Sequence, residues 1–488
     1  MSTSGSRVTF ASLTSNLKAV QYHWPQLPYG AISPKDLLAQ HQGDAEAEGE
    51  WESFASDVSP LLHHALPALL TDFLDVKSAF GTPLEKALYQ GMTPADLVTR
   101  MLRCRPLTFF MPSDQWRLRD GREGYMGFDD VGVTQNVQLP LEEVMTYDEI
   151  ALAALVSVAV PTRFLNDGSR FNQGVQGQPG SHEHAGVYTG CVGPRFERPG
   201  LMEWAHMVIT PAQNTEANGY GERAPNCAAA DTAALPGETR RALLQAWARF
   251  YGQAYFPTHE EAAAAAKEQP GRYVSLGGLD LLDATLYKQR IRRVVEPFML
   301  DADRRAAAAG RRAYVHLVGL GLGAWGLHDA QGALMVDAYA DILNTLNLPH
   351  VDTIDFSYFP DNVYQCGGAS SGSVFVSAVP ETRPTIMFSQ RNPAEPLPPS
   401  PVPLLLVGTN AHGAPNSSHA VPGSGCATGT GCAHCVRRGG KVGACPTWWQ
   451  GGRSLLDAVL SRRGAGPHAR LVLWQPCTHG TATPTRVR

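Results

Sequence analysis

Four glycines following an apolar run, with three carboxylates spaced around them, are the residues of this chain whose types and spacing could do chemistry. The stretch at 314–329 reads YVHLVGLGLGAWGLHD. Its first five residues have the β-branched and aromatic content of a buried strand, and Gly319, Gly321, Gly323 and Gly326 then permit positive φ and close backbone approach. Backbone N–H groups converging there, around Ala324 and Trp325, would make an anion cradle of phosphate size. Gly321, Gly323 and Gly326 have dinucleotide-fingerprint spacing, but the acidic residue expected about 20 positions on at the end of a second strand is missing. The alternative is a plain tight turn from strand to helix. Asp329, at the mouth of the loop, is placed either to activate water or to cap the following helix. Asp337 and Asp341 lie at i and i+4 and share a helix face, as a working pair or as a solvated acidic stripe. Glu203 has apolar neighbours, so its carboxylate is costly to bury unpaired; it serves a site or pairs with Arg195 or Arg198.

These residues need a scaffold of alternating strands and helices. A capping box at Thr146-Tyr147-Asp148-Glu149 predicts a helix from Asp148 running to the residue before Pro161. Helices are also expected over 51–76, 83–88, 94–102, 259–267 and 332–346, and strands over 351–359, 373–378, 385–388 and 404–407. Residues 109–127 read as irregular. Alternation of this kind predicts an α/β fold with a three-layer α/β/α core and a mixed sheet. The organisation expected is a helical accessory domain over 1–141, a core over 142–408 and a low-complexity tail over 409–488. In that tail hydrophobic periodicity fades, as expected of a disordered extension from a shifted frame or a retained intron. Zinc held by Cys426, Cys432, His434, Cys435 and Cys445 is the weaker alternative, because only Cys432 and Cys435 have ligand spacing; no metal is expected.

A second block carries a family resemblance. It runs GLMEWAHMVITPAQNTEANGYGE from Gly200 to Glu222, and with the glycine loop it resembles poly(ADP-ribose) glycohydrolases. Met202-Glu203-Trp204, Asn218-Gly219-Tyr220-Gly221-Glu222, Asp283-Ala284-Thr285-Leu286-Tyr287 and the loop from Gly321 to Gly326 follow that family's motif order, with Asp329 closing the loop one position late. The stretch from about Thr146 to Val407 is more similar to the domain-of-unknown-function 4804 family of macrodomain-like proteins, typified by the bacterial effector MavL, through GVYTGCVGPRFERPGLMEW and QNTEANGYG. The resemblance implies a macrodomain-like fold and an ADP-ribosyl hydrolase that needs no cofactor. It implies that Gly319, Gly321, Gly323, Ala324 and Gly326 hold the diphosphate, that Trp325 packs on the ribose side, and that Tyr220 stacks on adenine beside Asn218. Asn166, Asn172 and Gln173 are candidate ribose contacts, against the alternative of a surface loop. The catalytic candidates are Asp329, Asp337 and Glu203. Trp204 stands where the glycohydrolases carry their second glutamate, so arginine-linked ADP-ribose is the expected substrate, with ubiquitin one candidate carrier. Poly(ADP-ribose) cleavage and a non-catalytic ADP-ribose reader are the competing readings.

Composition narrows the partners. The 488 residues carry a formal net charge of −5, which argues against nucleic acid, whose readers need a concentrated basic face. No apolar stretch approaches the ~20 residues of a membrane span. No charged head precedes an apolar core at the N-terminus, and Cys104, Cys191, Cys227 and Cys366 are scattered singly, as in reduced thiols, so a cytoplasmic setting is expected. His182-Glu183-His184 reads as a solvated turn, and Lys288, Arg290, Arg292 and Arg293 as a solvated helix face.

Overall fold

The computed structural model describes residues 8–19, 38–105, 108–110, 114–118, 122–169, 175–196, 198–222, 238–323 and 325–409, with short strands at 426–427, 430–432, 472–474 and 485–486. Seven strands from the main body form a mixed sheet: β1 (Ser59–His63), β2 (Ser157–Arg163), β3 (Ala185–Gly190), β4 (Arg312–Leu317), β5 (Val351–Ser357), β6 (Thr385–Ser389) and β7 (Leu404–Thr409). Their spatial order is β6-β5-β4-β7-β3-β2-β1, and Val472–Trp474 and Thr485–Arg486 continue it beyond β1. From β6 to β3 the neighbours are parallel, while β2 is antiparallel to both β3 and β1. The chain builds outward from β4 to β5 and β6, then returns to lay β7 on the other side of β4. That reversal is a topological switch point, and its carboxyl edge is where α/β sheets hold ligands.

Burial on both faces explains the apolar runs in the parallel strands. Ala313, Val315, Leu317, Ile354 and Phe356 are fully buried under the helices Ala284–Ala308 and Ala330–Leu343. The Phe356 ring meets Tyr339 edge-on at 5.4 Å and stacks on Phe388 at 5.1 Å. Burying such a ring contributes about 1.5–3 kcal/mol. On the opposite face Tyr188, Tyr314 and Leu406 pack with Phe164 and Ala394, completing the layered α/β arrangement read from the sequence.

Some local expectations are corrected. The capping box is present, with Thr146 Oγ1 accepting from Glu149 N–H, but the helix it starts spans Tyr147–Ala153 and the run beyond it is strand β2. Val156, Val158 and Val160 are β-branched, and Pro161 is accommodated opposite Val187. The helix expected over 51–76 is split into Ala45–Ser56 and Leu66–Phe80 by β1. Residues 373–378 form no strand and make one bridge, Val374 to Thr385. The region expected to be irregular carries three short antiparallel strands at 108–110, 115–117 and 123–124. The boundary drawn at residue 141 does not follow the core, because β1 pairs with β2 and one hydrophobic cluster runs from Phe10 to Val407.

Candidate active site

The glycine loop leaves the carboxyl end of β4, where Val318 N–H donates to Thr409 Oγ1 at the end of β7 at 3.3 Å. It lies against the segment that follows β3. A Cβ on Gly193 would come within 2.3 Å of the Leu320 carbonyl carbon, and one on Gly321, whose φ is +73°, within 2.6 Å of Pro194 O. Only glycines allow the two backbones to touch in this way. Gly326 N–H donates to Gly323 O at 3.0 Å, and the N–H groups of residues 319–323 find no acceptor among the described residues. Unpartnered N–H groups on successive residues suit an anionic ligand. Ala324 lies outside the described residues.

The end of the loop is capped, but not by Asp329. Gln331 Oε1 accepts from Leu327 N–H at 2.6 Å and His328 N–H at 2.9 Å, and His328 Nδ1 accepts from Ala330 N–H at 3.1 Å. The Asp329 side chain makes no cap bond to the helix Ala330–Leu343 and is exposed. Asp337, two turns on, sits roughly 12 Å along that helix from Asp329. The two aspartates therefore cannot grip one water, although they can flank an extended ligand. Burial pushes the Asp337 carboxyl up, Lys288 opposes the shift and Asp341 adds to it. Asp341 itself lies 3.8 Å from Lys288 Nζ.

A pocket opens beside the loop, lined by Ala154, Val192, Arg195, Met202, Glu203 and Trp325 among others. Glu203 begins the short helix Glu203–Met207 and is 3% exposed. The residue before it, Met202, has φ +50° and ψ −133°, a strained backbone that turns Glu203 inward. Arg290 supplies the counter-charge, donating to Glu203 Oε1 from Nε at 3.0 Å and from Nη2 at 2.9 Å, while Arg195 N–H donates to Oε2 at 3.3 Å. The reading of Arg290 as solvated is thus corrected: it is 1% exposed. Its place between Tyr287 and Val294 on the apolar stripe of the helix Ala284–Ala308 is the signal that could have shown this.

Arg195 lies with its guanidinium 5.8 Å from the Trp325 ring centroid. It is held from the far side by Asp114, which is fully buried and accepts from Arg195 Nη2 at 2.8 Å, from Arg198 Nη1 at 2.6 Å and from the Tyr147 hydroxyl. Burial and the Asp114 carboxylate push the Tyr147 hydroxyl up, which keeps it a donor. Burial likewise pushes the Cys191 thiol up to about 12. A thiol so protonated at neutral pH cannot serve as a nucleophile.

Other candidates lie elsewhere. Tyr220 is 1% exposed and donates to Ala205 O at 2.8 Å, so its ring belongs to the core rather than to an open adenine shelf. Asn218 is committed to the carbonyls of Ala212 and Gln213 at 3.0 and 2.9 Å. Asn166 is buried and holds Val175 O at 2.8 Å, while Asn172 and Gln173 lie outside the described residues. The structure brings together Trp325, at the end of the loop, with Arg195 and Glu203.

A glycine loop at the switch point of a parallel sheet, next to a pocket walled by an aromatic ring and a buried carboxylate, defines an α/β protein with a candidate site at the carboxyl edge of its sheet. Comparison with known proteins specifies the class. Residues 38–425 match the family model described as ADP-ribosylhydrolase MavL-like. Two Drosophila melanogaster proteins are similar: ADP-ribosylarginine hydrolase CG3568 is 32% identical over 367 residues, 73% of this chain and 69% of the relative. ADP-ribosylarginine hydrolase CG2909 is 32% identical over 344 residues, 69% of this chain and 65% of the relative. The chain thus spans about two thirds of the length of both relatives. It belongs to the MavL-like ADP-ribosylhydrolase family.

Proposed function

We propose that the protein hydrolyses the N-glycosidic bond joining ADP-ribose to arginine side chains of modified proteins. Both Drosophila relatives carry that activity in their names, and the observation that supports the reading for this chain is that Trp325, at the end of the glycine loop, and Glu203 line one pocket. The loop N–H groups hold the diphosphate and Trp325 bounds the ribose side. In the reaction the C1″–N bond breaks, water's oxygen ends on C1″ and its proton ends on the leaving guanidine nitrogen. Carboxylates assist by orienting that water and by offsetting the positive charge that grows at C1″. Glu203 is the carboxylate within the pocket wall; Asp329 at the loop exit and Asp337 on the helix that follows are the further carboxylate candidates.

The partner is an ADP-ribosylated protein, with ubiquitin one candidate, and the setting is cytoplasmic. Among the described residues Cys191 and Cys366 are buried thiols outside any disulfide, which supports that setting. The test is incubation of the full chain with ADP-ribosylarginine and chromatography of released ADP-ribose. Turnover is expected; binding of ADP-ribose without release would make the protein a reader instead.

A further inference from the structure

We infer that Arg290 is a positioning residue of this hydrolase and acts through Glu203. The inference rests on the arginine-hydrolase reading of the site. Arg290 reaches out of the helix Ala284–Ala308 into the protein interior, and its bonds tie together separate walls of the pocket. Beyond its two bonds to Glu203 Oε1, Nη2 donates to Val192 O at 3.1 Å and to Ala154 O at 3.3 Å. Ala154, Val192 and Glu203 all line the pocket. They come from the end of the helix Tyr147–Ala153, the segment after β3 and the helix Glu203–Met207.

The division of labour at Glu203 follows from its two oxygens. Oε1 is saturated by the guanidinium fork, whereas Oε2 receives one long bond, from Arg195 N–H at 3.3 Å. A carboxylate gripped on one side keeps its other oxygen in a fixed direction, which is what proton transfer to a water or a leaving group requires. The strained φ at Met202 would relax if Glu203 were released, so the grip also keeps the turn in place. Lysine cannot replace arginine here, because a single ammonium lacks the planar fork that spans Glu203 and the two carbonyls.

The test is a mutant cycle on the full chain, read by single-turnover release of ADP-ribose from ADP-ribosylarginine, with ADP-ribose affinity and melting measured beside it. Arg290→Lys keeps the charge and is the primary variant; Arg290→Gln is included for cases where it folds. Expected is a fall in kcat of about tenfold or more for Arg290→Lys, with KM and ADP-ribose affinity within about threefold of wild type. In the Glu203→Gln background the same change should cost less than about twofold, since a residue acting through Glu203 has nothing left to position. Wild-type turnover by Arg290→Lys, or losses that multiply in the double variant, would overturn the positioning role alone. A wild-type chain that leaves ADP-ribosylarginine intact overturns the arginine reading, and the inference with it.

Discussion

The Glu203 wall of the pocket and the glycine loop next to it are built on opposite principles. On the Glu203 side the charged groups are bound within the protein: the carboxylate is 3% exposed and the arginine that neutralises it 1%. On the loop side the N–H groups of residues 319–323 have no acceptor among the described residues, and the Asp329 side chain is exposed without a cap bond. One side is part of the fold's stability, and the other leaves its polar groups without a partner among the described residues. Substitutions on the first side should therefore cost stability and turnover together, and those on the second should cost function alone.

The largest effect is expected at Glu203. Glu203→Gln leaves Arg290 uncompensated in the interior, which costs about 3–5 kcal/mol when a buried pair is broken, and should lower kcat by roughly 10² or more. Denaturant melts and single-turnover kinetics on the same sample check both parts. Asp329→Asn should cost roughly 10² in turnover while moving unfolding free energy by less than about 0.5 kcal/mol. A destabilisation of Asp329→Asn equal to that of Glu203→Gln would erase the contrast. Asp337→Asn, at a carboxyl pushed up by burial, with Lys288 opposing and Asp341 adding to the shift, is expected to cost about tenfold. Gly323→Val places a side chain among the loop N–H groups and should weaken ADP-ribose binding more than tenfold, or ~1.4 kcal/mol, as calorimetry would show.

A last effect, unseen at neutral pH, concerns acid and involves His206 on the same short helix as Glu203. His206 stacks on Trp247 at 4.4 Å and on Phe256 at 5.6 Å, and burial pushes its pKa down to about 3. Its ordinary value is 6.5, so below that pH the unfolded chain binds a proton that the folded chain refuses. The contribution is complete above pH 6.5 and is lost as pH falls toward 3, with a slope of at most about 1.4 kcal/mol per pH unit. His206→Phe should flatten that part of the melting-temperature profile; an unchanged slope would assign it to other groups.

What the sequence disclosed and what it concealed have physical reasons. The glycine turn after β4 and the capping box at Thr146/Glu149 were legible because their signals are local. Strand β2 was not, because Ala-rich turns before it mimic a continuing helix and the choice is made by pairing with β3. The Arg290 partnership was hidden because 87 residues separate it from Glu203. Tyr220 carries the right motif, yet it is buried in the core with its hydroxyl bonded to Ala205 O, which no motif encodes.

The pairing of β1 with β2 bears on how this protein can be taken apart. Residues 59–63 supply hydrogen-bonding partners to Ser157, Val158 and Ala159. A chain beginning at residue 142 would leave that strand with a bare row of amides and carbonyls, a surface on which other chains add by backbone pairing. It would also lose Asp114, and with it the anchor of Arg195 and Arg198. The first 141 residues are therefore not a dispensable appendage. An ancestor could have lengthened or shortened this protein at its surface loops, but not by trading its front end for another.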